Sequence, residues 1–428
     1  MLSRDQILDG LYFCRTQMLK ARQRATPDRA EMLRNSIADA VAANDRKKVK
    51  EVKQIMNSEK SKRSWSVINA TVDDPRLPAV TEIGRQENGK MEWYKDEEGV
   101  TRVFREECIE RYNLARKAPV MGSEISTLNE IDEADLEYAL KLINGTVPVP
   151  EDLDSATREY LIELREMSKD NPRERGKKFS VTRSMFVEFW KKANEHTQSS
   201  ISGHHYGFYK AASKDKFGSD AHALQLTLVG RSGVPPPRWL NTLQLLLAKG
   251  RGLCTVKNNR ILNLYEADFN ELKSHVVGGE AMEAMLDAKR LPEEQGSQRG
   301  STALDVSFDG TLMIDIARQS RIPMIMGSID AAQCYDRVLH LWLLLIWLAL
   351  LQDAPLVYVI LFCLQNMKFF TRTGYGDSAS SYGGTHTRLN WMGLGQGSRG
   401  APDAWLQVSS PIFNVMKKQV LWHKLKTL

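Results

Sequence analysis

The sequence predicts an α+β chain, and three observations carry that expectation. The apolar run Ile322-Pro323-Met324-Ile325-Met326, followed by Asp330, reads as a buried strand with a carboxylate at its end. The polar segment RQENGKMEWYKDEEGVTRV (85–103) reads as hairpin-like. Several other stretches show helical apolar spacing behind helix-start residues. The 428 residues, 42% hydrophobic and 26% charged, are enough for two or three domains with a sizeable core.

Residues 1–66 predict helix, rich in Arg, Lys, Ala and Gln, with 45–65 a long, basic, exposed one. Residues 67–125 predict irregular chain, broken by Pro75 and Pro78 and holding the hairpin-like segment. From Glu130 to Lys169, acidic helices alternate with the Pro-rich turn GTVPVPEDLD. Residues 180–195 predict a helix from their Ser/Thr start and the face formed by Met185, Phe186, Phe189 and Trp190. The segment SGVPPPRWLNTLQLLLAKG (232–250) is a Pro-set turn leading into an apolar helix or strand. Residues 338–365 predict two buried helices joined at Gln352-Asp353-Ala354-Pro355. The longest purely apolar run there, Leu341 to Leu351, falls short of the roughly 20 residues a bilayer requires. A last helix, from Ala401, carries an apolar face at Trp405, Val408, Ile412 and Met416.

The net charge of +6 is unevenly spread: +7 over residues 1–70, −11 over 71–170 and +10 over 171–428. Basic ends around an acidic middle suit a polyanion partner; solvated helix faces are the alternative. Five scattered cysteines without a CxxC spacing argue for a reducing compartment and against a disulfide framework or a zinc site. The first residues, MLSRDQILDG, hold no apolar signal core, so the expected location is intracellular, cytoplasmic or nuclear, without a membrane partner.

Gly395, Gly397 and Gly400 satisfy GxGxxG. The preceding THTRLNWM is a poor strand and no acid follows Asp403, which argues against a dinucleotide fingerprint. The same glycines make a loop around Gln396 whose backbone a flat ligand can approach. Asp330 alone is a turn former or helix cap as readily as a functional carboxylate. Tyr335 stands five residues beyond it, and Asp336 with Arg337 reads as a structural ion pair.

Together these features follow the order of a reverse-transcriptase palm: a strand-end Asp, an aromatic at plus five, then a Gly-Gln-Gly loop and helix some sixty residues on. From about residue 180 to 428 the chain resembles the reverse transcriptases of non-LTR (LINE-like) retrotransposons. SSISGHHYGFYKA (199–211) is similar to the first fingers segment, LLLAKGRGLCTVKNNRILNLYEADFN (245–270) to the basic fingers segment, and EEQGSQRGSTALD (293–305) to the Gln-Gly segment. SIDAAQCYDR (328–337) resembles palm motif A and GLGQGSRGAP (393–402) motif B, while the stretch ending in KRSW resembles the linker ahead of such polymerases.

The resemblance implies an incomplete right-hand polymerase: a basic helical linker at 1–66, an acidic connector at 67–179, fingers at 180–320 and the N-terminal part of the palm at 321–428. The implied activity is RNA-directed DNA synthesis by two-metal nucleotidyl transfer, from an RNA template, a DNA primer and deoxynucleoside triphosphates. Asp330 is then the catalytic, Mg²⁺-holding carboxylate, with two ions in a complete relative and one or none here. Lys249 and Arg260 would bind the triphosphate, or stand as a solvated face. Tyr335 would lie beneath the incoming sugar, or pack in the core. Gln396 and Gly397 would meet the templating base pair or its backbone.

Two departures bear on this. Gly395 precedes Gln396 where many relatives have a basic residue, and Ala401-Pro402 replaces Ser-Pro. The third palm motif, an aromatic-x-Asp-Asp hairpin, is missing; the single Asp-Asp pair, Asp73-Asp74, precedes a proline and reads as a turn. The chain alone is therefore expected not to polymerise, and the alternative function is that of a non-catalytic nucleic-acid-binding remnant.

Overall fold

Asn88 and Gly89 both adopt positive φ, 49° and 80°. Such a two-residue turn matches the right-handed twist of paired strands. It joins β1 (Ile83–Glu87) to β2 (Lys90–Tyr94), with Ile83 opposite Tyr94 and Glu87 opposite Lys90. The structure, a computed structural model, describes residues 80–171, 177–195, 197, 200–248, 254–257, 259–292, 334–384 and 390–419, with a few positions between 311 and 321. The helix expected at 1–66, the strand expected at 322–326 and the segment 293–305 lie outside the described residues.

After the hairpin comes α1 (Glu97–Asn113), a correction to the irregular chain expected over 67–125. Val100, Val103, Phe104 and Cys108 form its buried stripe, and Asp96 caps it by accepting from the Gly99 N–H at 2.8 Å. The dense charges between those apolar positions hid the stripe. Short 3₁₀ turns then lead to α2 (Glu133–Ile143) and α3 (Ser155–Lys169), the two acidic helices expected. Asp132 and Asp135 form a capping box on α2, and Asp154 caps α3.

α4 (Arg183–Lys192) starts at Thr182, whose hydroxyl accepts from the Met185 N–H. α5 (Tyr206–Ala212) and α6 (Lys216–Ser232) follow, and Gly233 closes α6 in the left-handed conformation. The apolar segment after the Pro-set turn is a strand, β3 (Asn241–Ala248), paired antiparallel to β4 (Asn259–Leu264). α7 (Ala267–His275) runs through a π-helical stretch, Val276–Ala281, into α8 (Met282–Asp287).

The apolar segment at 338–365 is the expected helix pair, α9 (His340–Leu351) and α10 (Ala354–Gln365). Gln352 turns with φ 51°, and Asp353 accepts from the Leu356 N–H to start α10. α9 is apolar on nearly every side because α2, α3, α10 and α11 (Ala401–Gln419) surround it. Among the described residues no helix is long and apolar enough to cross a membrane.

β5 (Lys368–Thr373) runs parallel to β3, with Leu243 opposite Phe370, and carries the short β6 (Gly376–Asp377) and β7 (Tyr382–Gly383). The mixed sheet is ordered β4-β3-β5-β6, so the chain is α+β. One hydrophobic core, from Val80 to Val408, takes side chains from both helical and sheet segments. Cys108, Cys254, Cys334 and Cys363 are free thiols.

α11 departs from its expected face. Trp405 and Val408 do turn inward, but Ile412 and Met416 are exposed. The face that packs joins Leu406 to small and polar residues, Ala401, Ala404, Gln407, Ser409 and Ser410, whose hydrogen bonds are satisfied within the fold. Gln407 accepts from Trp347 Nε1 at 2.9 Å and donates to the Val277 carbonyl at 2.8 Å. That bond lets a polar residue replace an apolar one at the centre of the packing.

Candidate functional site

Three segments far apart in the sequence meet at one edge of the sheet. β4 supplies Ile261, Asn263 and, just beyond its end, Tyr265. A single 3₁₀ turn supplies Cys334–Asp336, and the glycine loop 391–400 supplies the third wall. The loop is stitched to its neighbours by backbone bonds. Asn263 N–H donates to the Gln396 carbonyl at 2.7 Å, Leu394 N–H to the Tyr335 carbonyl at 2.8 Å, and Gly393 N–H to the Val338 carbonyl at 2.8 Å. Leu262 and Gln396 form a parallel bridge, and Leu339 and Met392 an antiparallel one.

The glycines are needed for that close approach. Gly395 has φ +70°, and a Cβ there would overlap the Tyr265 hydroxyl and the Asn263 amide. Gly397 has φ +101°, and a Cβ would come within 2.6 Å of the Asn263 carbonyl oxygen. Both positions exclude side chains on conformational and steric grounds. At these two residues the backbone approaches the protein's own β4 edge.

Gln396 aims its side-chain amide at Asp336, with Nε2 3.4 Å from Oδ2. Asp336 lines a small recess with Arg111, Tyr112, Asn263 and Arg337. Arg111 is held there by Glu107 at 2.9 Å and by the Val256 carbonyl at 3.0 Å. Tyr335 is half-buried and packs against the core edge, where burial raises the pKa of its phenol. Arg260 is exposed on the face of β4 opposite Ile261 and Asn263, as strand alternation requires. Gly397 is exposed beside the half-buried Gln396. Asp330 and Lys249 lie outside the described residues, so the structure brings Tyr335, Gln396 and Gly397 together and leaves Arg260 nearby on the outer face.

Behind the loop runs a polar network that sequence reasoning missed. The Tyr382 hydroxyl meets Gln244 Oε1, Gln244 Nε2 donates to Tyr112 at 3.2 Å and to Asn263 Oδ1 at 2.9 Å, and the Tyr265 hydroxyl donates to the Leu394 carbonyl at 3.1 Å. Burial raises the phenol pKa values of Tyr112, Tyr265 and Tyr382, so all three remain neutral, Tyr112 accepting and the other two donating. The available signal was the alternation of Thr242 and Gln244 within an otherwise apolar strand. Lys273 closes the back, its ammonium 3.7 Å from the Tyr265 ring centre, with burial holding its pKa well below the usual value.

His340 anchors the start of the loop to α9. It is fully buried, its backbone N–H donates to the Trp391 carbonyl and its Nε2–H to the Gly393 carbonyl at 2.9 Å. Burial pushes its pKa down to about 4. A histidine held neutral contributes stability that is complete above its unfolded value near 6.5 and is lost as pH falls towards 4. The shift corresponds to about 3 kcal/mol at its limit. Chemical denaturation at pH 7 and pH 4.5 should show a larger acid loss for the wild type than for His340→Asn, which keeps a donor and cannot titrate. Equal losses would show that His340 does not set the acid sensitivity.

Among the described residues no group of three His, Cys, Asp or Glu side chains could hold a metal ion. No protein-family model matches the chain, and no curated protein matches it.

Proposed function

We propose that the chain is the fingers and first part of the palm of an RNA-directed DNA polymerase, binding an RNA template, a DNA primer and deoxynucleoside triphosphates. One observation carries the reading: the segment resembling motif A (Tyr335, Asp336), the segment resembling motif B (Gln396, Gly397) and the fingers strand β4 converge on one sheet edge. A polymerase palm needs these elements adjacent, because one nucleotide is held against its template between them. On this reading Gln396 and the exposed Gly397 face the templating pair, Tyr335 lies under the sugar, and Arg260 with Lys249 meets the triphosphate.

The two magnesium ions implied by the resemblance would offset charge on the attacking and leaving oxygens. Their expected carboxylate is Asp330. The described side chains by themselves do not make a magnesium site, since Asp336 is engaged by Gln396 and no three ligating groups cluster. What the described residues supply is positioning, in a loop pinned on both sides by backbone hydrogen bonds.

The test is binding of the full chain to a labelled RNA–DNA hybrid at increasing salt. Residues 171–428 carry +10, so phosphate contacts should release counterions. Affinity should fall at least about tenfold between low and moderate salt, since even a few such contacts give that slope. An affinity that stays flat, or no binding at any salt, would remove the proposal.

A further inference from the structure

Arg399 lies three residues beyond Gln396 and is exposed. Its guanidinium sits 4.8 Å from the ring centre of Phe189 and 5.7 Å from that of Tyr206. These rings are themselves fixed from behind. Trp190 meets Phe189 edge-on at 4.9 Å and Tyr206 at 5.4 Å, and His275 supports Phe189 at 5.7 Å. One side of the guanidinium is therefore backed by a rigid aromatic wall, and the residue remains open to solvent. A planar cation held in this way is a surface on which a nucleobase stacks.

We propose that Arg399 is a stacking platform for an unpaired base of the template strand, just outside the pair that Gln396 faces. The inference rests on the proposed function and goes beyond it, by assigning a single-stranded segment of the template to a particular side chain. Its reach fits. Three residues of chain span at most about 11 Å, and successive stacked bases are about 3.4 Å apart, so the stacked base lies within about three nucleotides of the templating position. Lys191 and Lys192, exposed in the last turn of α4 beside Phe189, put positive charge where the strand's phosphates would run. Glu188 pairs with Lys192 at 2.7 Å, which leaves the guanidinium as the planar cation of this corner.

The experiment measures one ratio: affinity for a primer–template with a short single-stranded RNA template overhang over affinity for the same duplex with a blunt end. In the wild-type chain the overhang should tighten binding by about five- to a hundredfold, the range of one stacked base. The ratio should collapse towards one in Arg399→Ala. It should fall nearly as far in Arg399→Lys, which keeps the charge and loses the plane. An overhang with abasic sites should give wild-type protein the same low ratio. An undiminished ratio in Arg399→Lys, or with the abasic overhang, would overturn the platform and leave only phosphate attraction. If wild-type protein fails to bind the blunt duplex as well, the proposed function fails instead.

Discussion

A Trp190→Ala chain is expected to lose about 3–5 kcal/mol of stability, the range for deleting a fully buried indole. Trp190 is completely buried, stacks on Tyr209 at 4.8 Å and meets Phe189 and Tyr206 edge-on. Its truncation opens a cavity between α4, α5 and α7, which the surrounding rings are too stiff to close. The loss has a second part, because Nε1–H donates to Glu271 Oε2 at 2.7 Å. Glu271 is itself fully buried, and burial pushes its pKa up to about 7 against the help of His222 and the indole. A carboxyl raised in this way holds its proton more tightly folded than unfolded. Its stabilising contribution is complete below its unfolded value near 4.5 and is lost as pH rises towards 7. Removing the indole donor lifts that pKa further, so the cost of Trp190→Ala should be larger at pH 8 than at pH 5. Denaturation curves at the two pH values measure this, and Trp190→Phe separates ring volume from the missing N–H. A cost that does not change with pH would show that the indole does not hold the carboxylate.

Gly395→Ala is expected to cost about 2–5 kcal/mol and to weaken hybrid binding at the same time. The left-handed backbone contributes about 1–2 kcal/mol for any residue with a Cβ. The overlap with Tyr265 and Asn263 adds about 1–3 kcal/mol, typical of an overfilled site. Gly89→Ala supplies the control: φ is +80° there too, but nothing lies within 4 Å of the added carbon. The difference between the two substitutions in thermal or denaturant unfolding isolates the contact with β4. Relief of the strain requires the loop to lift, which breaks the Asn263–Gln396 bond and moves Gln396 off Asp336. Equal costs for the two alanines would mean that β4 yields and the loop does not depend on the close approach.

Much of the framework was legible because its signals are local. The hairpin declares itself in Asn88-Gly89, α4 in Thr182 and its four-residue aromatic and methionine face, and the α9–α10 pair in an apolar run broken by Gln352-Asp353-Ala354-Pro355. α1 escaped notice because glutamates and arginines crowd its buried stripe. The lower half of α11 departs from the rule that large apolar residues mark the buried side: Gln407, Ser409 and Ser410 pack inward and Ile412 faces solvent. At the site, the glycine loop and Tyr335 could be singled out from residue types alone. The pairing of Gln396 with Asp336 joins residues 60 positions apart, and that of Tyr382 with Gln244 residues 138 apart. No local pattern encodes such contacts; they follow from strand register and the packing of distant segments.

The parallel pairing of β3 with β5 sets an order of events as the chain folds. Asn241 meets Lys368 across 127 residues of sequence, while β3 and β4 are joined by a short connection. Closing the larger loop costs more chain entropy before any contact rewards it. The β3–β4 hairpin is therefore the pairing available first, and the pairing of β5 with β3 the costlier one to close. On a ribosome the same delay has a spatial meaning. Until the glycine loop emerges, the Asn263 N–H lacks the Gln396 carbonyl and the β4 edge is open to another chain's strand, at the place where the candidate site will form.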